Sequence, residues 1–319
     1  MDTLYIVVPC YNEEEVLPET ARRLREKTQS LIDGGKISKR SRILLVNDGS
    51  GDRTWEIITQ LHQSDKLFDG LSLSRNRGHQ YALLAGLMAA RQHADMVISM
   101  DADLQDDIDA VDAMVEKYYE GCDIVYGVRS SRKKDTFFKR FTAEGYYKLI
   151  NSLGGQLVFN HADYRLMSRR ALDALSQYSE VNLFLRGIVP MLGYKAGIVE
   201  YERGERFAGE SKYPLKKMLA FAAEGITSLS TRPLRWILFL GAAVLAVSLV
   251  LLVVFLVGAC LGYSMLNWRI LLFAILFIGG LILSSIGIIG EYVGKIYLET
   301  KKRPRYFIES ALHHDDEEN

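Results

Sequence analysis

Two aspartates that lie two residues apart, Asp101 and Asp103, are the first candidates for chemistry in this chain. They follow Met96–Met100, an apolar run with the length of a buried β-strand. Carboxylate oxygens are the ligands that Mg²⁺ and Mn²⁺ prefer, and a protein-bound Mg²⁺ usually also contacts substrate phosphates. The same spacing is also found in the cap of a helix, here one that begins near Asp107, so these two residues alone leave both interpretations open.

The elements that must position these aspartates alternate between strand and helix. Strand-length apolar runs are Leu4–Val8, Ile43–Val46, Leu71–Leu73, Met96–Met100 and Ile124–Tyr126. Helical patterns between them are Val16–Leu31, Thr54–Leu61, Gln80–Arg91 and Ala110–Tyr119. This alternation predicts an α/β domain with a mostly parallel sheet that is covered by helices on both faces.

Polar residues follow each of the predicted strands. The clusters are Pro9–Glu13, Asn47–Ser50, Ser74–Gly78, Asp101–Asp103 and the single residue Arg129. In open α/β sheets, ligands bind beyond the carboxyl ends of the strands. We therefore expect these clusters to converge on one crevice, and this convergence favours the metal interpretation of the two aspartates over a cap.

Composition and missing motifs exclude several classes of protein. No Gly-x-Gly-x-x-Gly follows the first strand and no Walker Gly-Lys-Ser/Thr occurs, which disfavours a dinucleotide dehydrogenase and a P-loop NTPase. Lysine and arginine (39) balance aspartate and glutamate (39), so bulk charge does not favour binding to nucleic acid. The three cysteines have no CxxC spacing, and the N-terminus has no signal-peptide pattern, so a reduced cytosolic setting is expected.

The C-terminal third contains two uncharged runs, Ile237–Val257 and Ile270–Gly290. As a helix, each would be about 30 Å long, which matches the hydrocarbon core of a bilayer. Basic residues lie before the first run and after the second, whereas only Arg269 lies between them. The positive-inside rule then predicts a transmembrane hairpin in the cytoplasmic membrane, with the large N-terminal part and both termini in the cytosol.

Two further stretches have patterns typical of helices at a membrane surface. Apolar residues recur at helical spacing over 215–229, and aromatic and basic residues are interleaved over 133–148, where packing on the domain is an equal alternative. Residues 313–319 are expected to be a solvated, disordered end, and the sequence alone supports no metal assignment for His313 and His314. The predicted division is 1–212 for the α/β domain, 213–233 for a juxtamembrane amphipathic helix, 234–293 for two transmembrane helices and 294–319 for a cytosolic tail.

Six ordered motifs resemble a known family. They are VPCYNEEE (8–15), VNDGSGDRT (46–54), LSRNRGH (73–79), MDADLQDD (100–107), DYRLMSR (163–169) and RFAGESKY (206–213). Together with the hairpin they resemble glycosyltransferase family 2, in its polyprenyl-phosphate branch of dolichol-phosphate mannosyltransferases and bactoprenol glucosyl- and N-acetylglucosaminyltransferases. The resemblance implies a GT-A (Rossmann-like) fold and inversion at the anomeric carbon. His79, where many relatives have Lys, and Asp107-Ile108, in place of Pro-Pro, depart from the family pattern.

The resemblance also implies roles for individual residues. Residues implied at the nucleotide-sugar pocket are Pro9, Tyr11, Glu13, Asp48, Arg75, Asp101 and Gln105. Asp101 and Asp103 match the Asp-x-Asp motif that holds Mg²⁺ or Mn²⁺, and Asp103 and Asp163 are the implied catalytic residues. Candidates for binding the diphosphate or the acceptor phosphate are Arg129, Arg140, Arg206, Ser211 and Lys212.

The predicted reaction is transfer of a hexose or N-acetylhexosamine from a nucleoside-diphosphate sugar, UDP-glucose or UDP-N-acetylglucosamine, to undecaprenyl phosphate. A phosphate monoester has its second pKa near ~6, so the acceptor is already largely anionic and Asp163 is expected to organise the site rather than remove a proton. The alternatives are a GDP-mannose donor, a processive synthase, a membrane-anchored sugar-nucleotide-binding protein and a lipid-sugar flippase. A homo-oligomer is compatible with the resemblance.

Overall fold

The computed structural model describes residues 1–129, 161–181, 183–202, 232–261 and 268–314. The strands in these ranges are β1 (Leu4–Cys10), β2 (Arg42–Asn47), β3 (Phe68–Leu73), β4 (Met96–Ser99), β5 (Ile124–Arg129), β6 (His161–Ser168), β7 (Ala196–Tyr201) and β8 (Ile308–Leu312). The helices are α1 (Leu17–Asp33), α2 (Thr54–Ser64), α3 (His79–Ala90), α4 (Ala110–Tyr119), α5 (Arg169–Ser176), α6 (Leu185–Met191), α7 (Arg232–Cys260) and α8 (Trp268–Lys301).

The strands form one mostly parallel sheet in the order β7-β5-β6-β4-β1-β2-β3-β8. β1 pairs in parallel with β2 and β4, β2 with β3, and β5 with β7. β6 runs antiparallel between β4 and β5, and β8 runs antiparallel to β3 at the edge. This mostly parallel α/β sheet confirms the predicted fold class.

The core lies on both faces of the central strand β1, all of whose residues are buried. Leu4, Ile6 and Val8 belong to the core cluster on one face, and Tyr5 and Val7 belong to the cluster on the other. A strand covered on both faces needs apolar side chains in both directions, which explains its continuous apolar sequence.

Helix α3 packs very close to the sheet because Gly86 has no side chain. A Cβ atom at this position would lie 2.4 Å from Val7 Cγ1 and 2.7 Å from Val46 Cγ2. The first residue of α3, His79, immediately follows the loop at the end of β3, so this packing also fixes where the helix begins relative to the crevice.

The two C-terminal helices α7 and α8 are 29 and 34 residues long. Large apolar side chains on them are exposed, for example Leu238 and Leu283. Within the described part of the chain, one helical segment, Phe277–Lys301, is long and apolar enough to cross a membrane, and Trp236–Ser248 is a shorter apolar helix. The two-span hairpin and its orientation therefore stay predictions.

Beyond α8 the chain returns to the sheet, where Ile308–Leu312 pairs with β3 as strand β8. The sequence analysis assigned 294–319 to a tail and did not predict this strand. The expectation of a disordered end was wrong for His313 and His314, because His313 pairs with Asp69 and His314 stacks on His62. The open edge of β3 offers main-chain hydrogen bonds that a short apolar segment such as β8 can satisfy.

Candidate active site

The loops that follow β1 and β2 interlock at the carboxyl edge of the sheet. The main-chain N–H of Asn12 donates to Ser50 Oγ (3.1 Å), and Asn12 Oδ1 accepts from the N–H of Gly51 (2.9 Å). The N–H of Glu13 donates to Thr54 Oγ1 at the start of α2 (2.9 Å). The predicted nucleotide-pocket residues Pro9, Tyr11 and Glu13 lie along this wall; Pro9 is buried and Tyr11 is exposed.

Asp48 fixes the next loop of the crevice. Its buried carboxylate accepts hydrogen bonds from the main-chain N–H groups of Arg77 (2.7 Å) and Gly78 (2.8 Å). Burial raises the pKa of Asp48 and these two bonds lower it, with a net upward shift. Arg75, on the same loop, is exposed. Asp48 therefore shapes the loop that carries Arg75, in addition to the nucleotide contact predicted for it.

The two aspartates after β4 are both partly exposed in the crevice, as the metal interpretation requires. Thr20 Oγ1 of α1 anchors the segment between them by donating to the carbonyl of Ala102 (2.8 Å), and the N–H of Gln105 donates to Asp103 Oδ1 (3.2 Å). Burial raises the pKa of Asp101 to about 6; His79 lowers it, while the nearby carboxylates of Asp106, Asp163 and Asp103 raise it. Such a concentration of negative charge favours a bound cation.

His79 lies between Asp101 and Asp163 and contacts both carboxylates. Its Nε2 lies 3.6 Å from Asp101 Oδ1 and 3.4 Å from Asp163 Oδ2. Burial lowers the pKa of His79, but the hydrogen bond with Asp163 and the two negative charges outweigh it, so the pKa is raised. The sequence analysis noted His79 only as a departure from the family pattern. Its position at the start of α3, directly after a crevice loop, could have indicated that it is a site residue.

Asp163 lies on β6 with its side chain only 8% exposed. Arg186 of α6 donates to both of its oxygens, from Nε to Oδ1 (3.2 Å) and from Nη2 to Oδ2 (2.9 Å), and the buried Arg165 adds a third contact at 3.4 Å. Burial raises the pKa of Asp163, but Arg186, His79 and Arg165 outweigh it and hold the pKa well below its usual range. Asp163 is thus an ionised carboxylate, and Arg186 is a site residue that the sequence analysis missed.

Arg129, at the end of β5, is held in a second buried cluster. Its Nε donates to Tyr201 Oη (3.2 Å) and its Nη2 to Asp106 Oδ1 (3.4 Å), while Tyr201 Oη donates to the same Asp106 oxygen (2.5 Å). Asp106 and Tyr201 were not predicted as site residues. Their contacts hold the guanidinium of Arg129, which stays partly exposed; its acceptor-phosphate role stays a prediction.

Four predicted phosphate-binding residues, Arg140, Arg206, Ser211 and Lys212, lie outside the described residues. The stretches 133–148 and 215–229, predicted to lie at the membrane surface, also fall outside them. Their roles stay predictions. The structure brings together Asp101, Asp103 and Asp163 with His79 and Arg186, and places the loops of Tyr11, Asp48 and Arg75 around them.

Comparisons with known proteins identify the family and the fold of this chain. Residues 5–176 match the model of glycosyl transferase family 2. The chain is 53% identical to an uncharacterized glycosyltransferase, YkoT, of Bacillus subtilis, over 98% of this chain and 93% of that protein. It is 41% identical to a bactoprenol glucosyl transferase of Shigella phage SfX, over 96% of this chain and 98% of that protein. A solved structure of mannosyl-3-phosphoglycerate synthase from Rubrobacter xylanophilus shares the fold, with a TM-score of 0.51, 16% identity and 74% of each chain covered.

The mostly parallel α/β sheet, with carboxylates at its carboxyl edge, has the arrangement of the GT-A glycosyltransferase fold. The chain belongs to glycosyltransferase family 2, as the match over 5–176 and the full-length relatives show. The resemblance inferred from the six motifs is confirmed, and so is the assignment of the protein as an enzyme of the glycosyltransferase type.

Proposed function

We propose that this glycosyltransferase moves a hexose or N-acetylhexosamine from UDP-glucose or UDP-N-acetylglucosamine to undecaprenyl phosphate, with inversion at the anomeric carbon. The observation that carries the proposal is that His79 Nε2 lies 3.6 Å from Asp101, which we assign to the donor, and 3.4 Å from Asp163, which we assign to the acceptor site. The near full-length relative from Shigella phage SfX, which is a bactoprenol glucosyl transferase, supports a polyprenol acceptor and a glucosyl donor.

Asp101 and Asp103 are the residues that would hold Mg²⁺ or Mn²⁺. Both are hard oxygen donors, and the pKa of Asp101, raised to about 6 by burial and by neighbouring carboxylates, marks excess negative charge that a divalent cation would offset. When bound, the ion would stabilise the charge that develops on the leaving diphosphate. Gln105 would support Asp103 through its main-chain N–H.

The role of Asp163 follows from its charge. A general base works best with a pKa near the working pH, whereas the pKa of Asp163 is held well below its usual range. A phosphate acceptor, already anionic, needs positioning more than proton removal. We therefore assign Asp163 the task of orienting Arg186 and His79, so that Arg186 presents positive charge to the acceptor phosphate. Arg129, held by Asp106 and Tyr201, would add a second positive charge.

The C-terminal helices would hold the crevice at the height of the lipid headgroups. The apolar segment Phe277–Lys301 supports membrane attachment, and we propose that α7 and α8 span the bilayer as a hairpin with the α/β domain and both termini in the cytosol. Arg140, Arg206, Ser211 and Lys212 are proposed to meet the lipid phosphate at that surface.

The test uses the full chain in detergent with undecaprenyl phosphate, Mg²⁺ or Mn²⁺, and radiolabelled UDP-glucose, UDP-N-acetylglucosamine, UDP-galactose or GDP-mannose. We expect organic-extractable label from one UDP-sugar, lost with EDTA and in Asp103→Asn. The matched control is Asp109→Asn, which changes a carboxylate on the same segment that is exposed and paired with Lys27, so activity should persist.

Label from GDP-mannose alone would replace the proposed donor with the mannosyl alternative. Failure of every donor to label lipid, despite metal-dependent nucleotide binding, would refute the acceptor and favour a sugar-nucleotide-binding protein. Label that partitions with polymer rather than with lipid would favour a processive synthase.

A further inference from the structure

Histidines gather around a buried aspartate near the amino end of β3, the end opposite to the crevice. Asp69 is 1% exposed in its side chain, and four of the six histidines in the chain lie in this region: His62, His93, His313 and His314. His313 Nδ1 lies 2.8 Å from Asp69 Oδ2, and His62 Nδ1 lies 4.0 Å from Asp69 Oδ1. The rings of His62 and His314 stack with centroids 3.8 Å apart.

Three of these residues offer metal ligands from three separate elements. His62 lies on α2, Asp69 on β3 and His314 just beyond β8. Among the described residues, one ligand atom from each of these three side chains lies within 4.8 Å of the others. Ligand atoms of a tetrahedral zinc ion, with bonds of about 2.0–2.2 Å, are roughly 3.4 Å apart, so the three side chains would have to move closer together, and the stacked rings of His62 and His314 would have to rotate, to share one ion.

The hydrogen bonds of the two rings set them in a tautomer that can bind a metal. His62 Nδ1 lies 2.8 Å from the carbonyl oxygen of Phe68, and His314 Nε2 lies 3.0 Å from the carbonyl oxygen of His62. Because a carbonyl only accepts, each of these nitrogens carries the proton in the neutral ring, and the other ring nitrogen carries a lone pair. Histidines that ligate metals usually donate their second N–H to such a carbonyl or carboxylate.

We propose that His62, Asp69 and His314 form a zinc site, distinct from the aspartates of the crevice. Two imidazoles and one carboxylate select zinc and similar transition metals over Mg²⁺, which prefers all-oxygen ligands. His313 Nδ1, 2.8 Å from Asp69 Oδ2, would hold the carboxylate of Asp69 in position for the ion. The ion would fasten the segment after β8 to α2 and β3, and so would hold the C-terminal strand on the sheet.

The test is zinc binding to the untagged full chain in detergent, in excess Mg²⁺ so that the crevice carboxylates are occupied. Equilibrium dialysis should give about one Zn²⁺ per chain. His314→Gln should weaken binding by tenfold or more, since it removes one ligand while glutamine keeps the side-chain volume and polarity (the range for altered metal shells is about 10–100-fold). His93→Gln, at a neighbouring histidine outside the three ligands, is the matched control and should bind zinc as the unaltered chain does.

A second readout separates coordination from simple packing. Zn²⁺ should slow hydrogen exchange at the amides of β8 in the unaltered chain and not in His314→Gln, whereas His314→Cys, which restores a zinc ligand, should recover both binding and protection. Failure to bind Zn²⁺ in excess Mg²⁺, or equal binding by the unaltered chain and His314→Gln, would overturn the proposal. The histidines would then hold β8 by hydrogen bonds and stacking alone.

Discussion

Replacing Arg186 with methionine tests the electrostatics of the Asp163 site directly. The substitution keeps a long side chain but removes both hydrogen bonds to Asp163, at 3.2 and 2.9 Å. Removing one partner of a fully buried ion pair costs about 3–5 kcal/mol. Arg186 is 34% exposed and Arg165 and His79 remain beside Asp163, so we expect a smaller loss, about 2 kcal/mol in the free energy of unfolding.

The matched control is Arg91→Met. Arg91 has nearly the same exposure as Arg186, 30% against 34%, but its partner Asp173 is 57% exposed rather than buried. A pair of this kind contributes about 0–1 kcal/mol. For a domain of this size, 1 kcal/mol corresponds to about 2–4 °C in Tm, so thermal unfolding followed by circular dichroism should show a drop of about 4–8 °C for Arg186→Met and at most a few degrees for Arg91→Met.

The pH dependence of the same pair has a definite sign. The folded-state pKa of Asp163 is depressed, so its stabilising contribution is complete above the unfolded pKa of about 3.9 and is lost as pH falls through the folded value. The stability difference between the unaltered chain and Arg186→Met should therefore shrink below about pH 4, separately from a change at higher pH through the titration of His79, whose pKa Arg186 lowers. Equal Tm losses for Arg186→Met and Arg91→Met, or a difference that grows in acid, would refute this account of the site.

Two further substitutions test the loops of the crevice. Gly49→Ala should raise KM for the sugar nucleotide severalfold. Gly49 has φ +64°, and a Cβ there would lie 2.5 Å from the carbonyl carbon of Arg75, so the Arg75 loop would have to shift. The control Gly51→Ala, with open space around it, should leave KM unchanged. Equal kinetics of the two variants would count against a donor role for the Arg75 loop. Tyr201→Phe should lower the Tm by several degrees, because Asp106 loses its hydroxyl donor at a cost of about 1–3 kcal/mol. It should also raise KM for the lipid phosphate, since Tyr201 helps to hold Arg129. An unchanged Tm would contradict the first expectation and an unchanged KM the second.

The sequence predicts the central sheet well because burial on both faces leaves continuous apolar runs at β1, β2 and β4. The predicted third strand, Leu71–Leu73, is shorter than the observed strand β3, which begins at Phe68. Asp69 and Gly70 interrupt the apolar run, and Asp69 is tolerated in the strand because His313 and the N–H of His314, distant in sequence, meet its carboxylate. A local pattern holds no information about such a partner.

Strand β6 was missed for a related reason. Tyr164, Leu166 and Met167 are buried there, but Asp163 and Arg165 alternate with them and are also buried, so the segment lacks the apolar character of a core strand. Their charges are compensated by each other and by Arg186, which comes from a different element. The residue types and motifs of Asp101, Asp103 and Asp163 thus made them candidates from sequence alone, while the contacts of His79, Arg186 and Asp106 depend on tertiary convergence.

Strand β8 is synthesised after all the other strands of its sheet. It follows α7 and α8 in the chain, so the ribosome completes both long helices before the partner of β3 exists. During that interval the outer edge of β3 has unpaired main-chain N–H and C=O groups, the feature through which sheets join wrong partners. A nascent chain stalled or cut between α8 and β8 would therefore leave this edge open to aggregation, even though its crevice residues have all been synthesised.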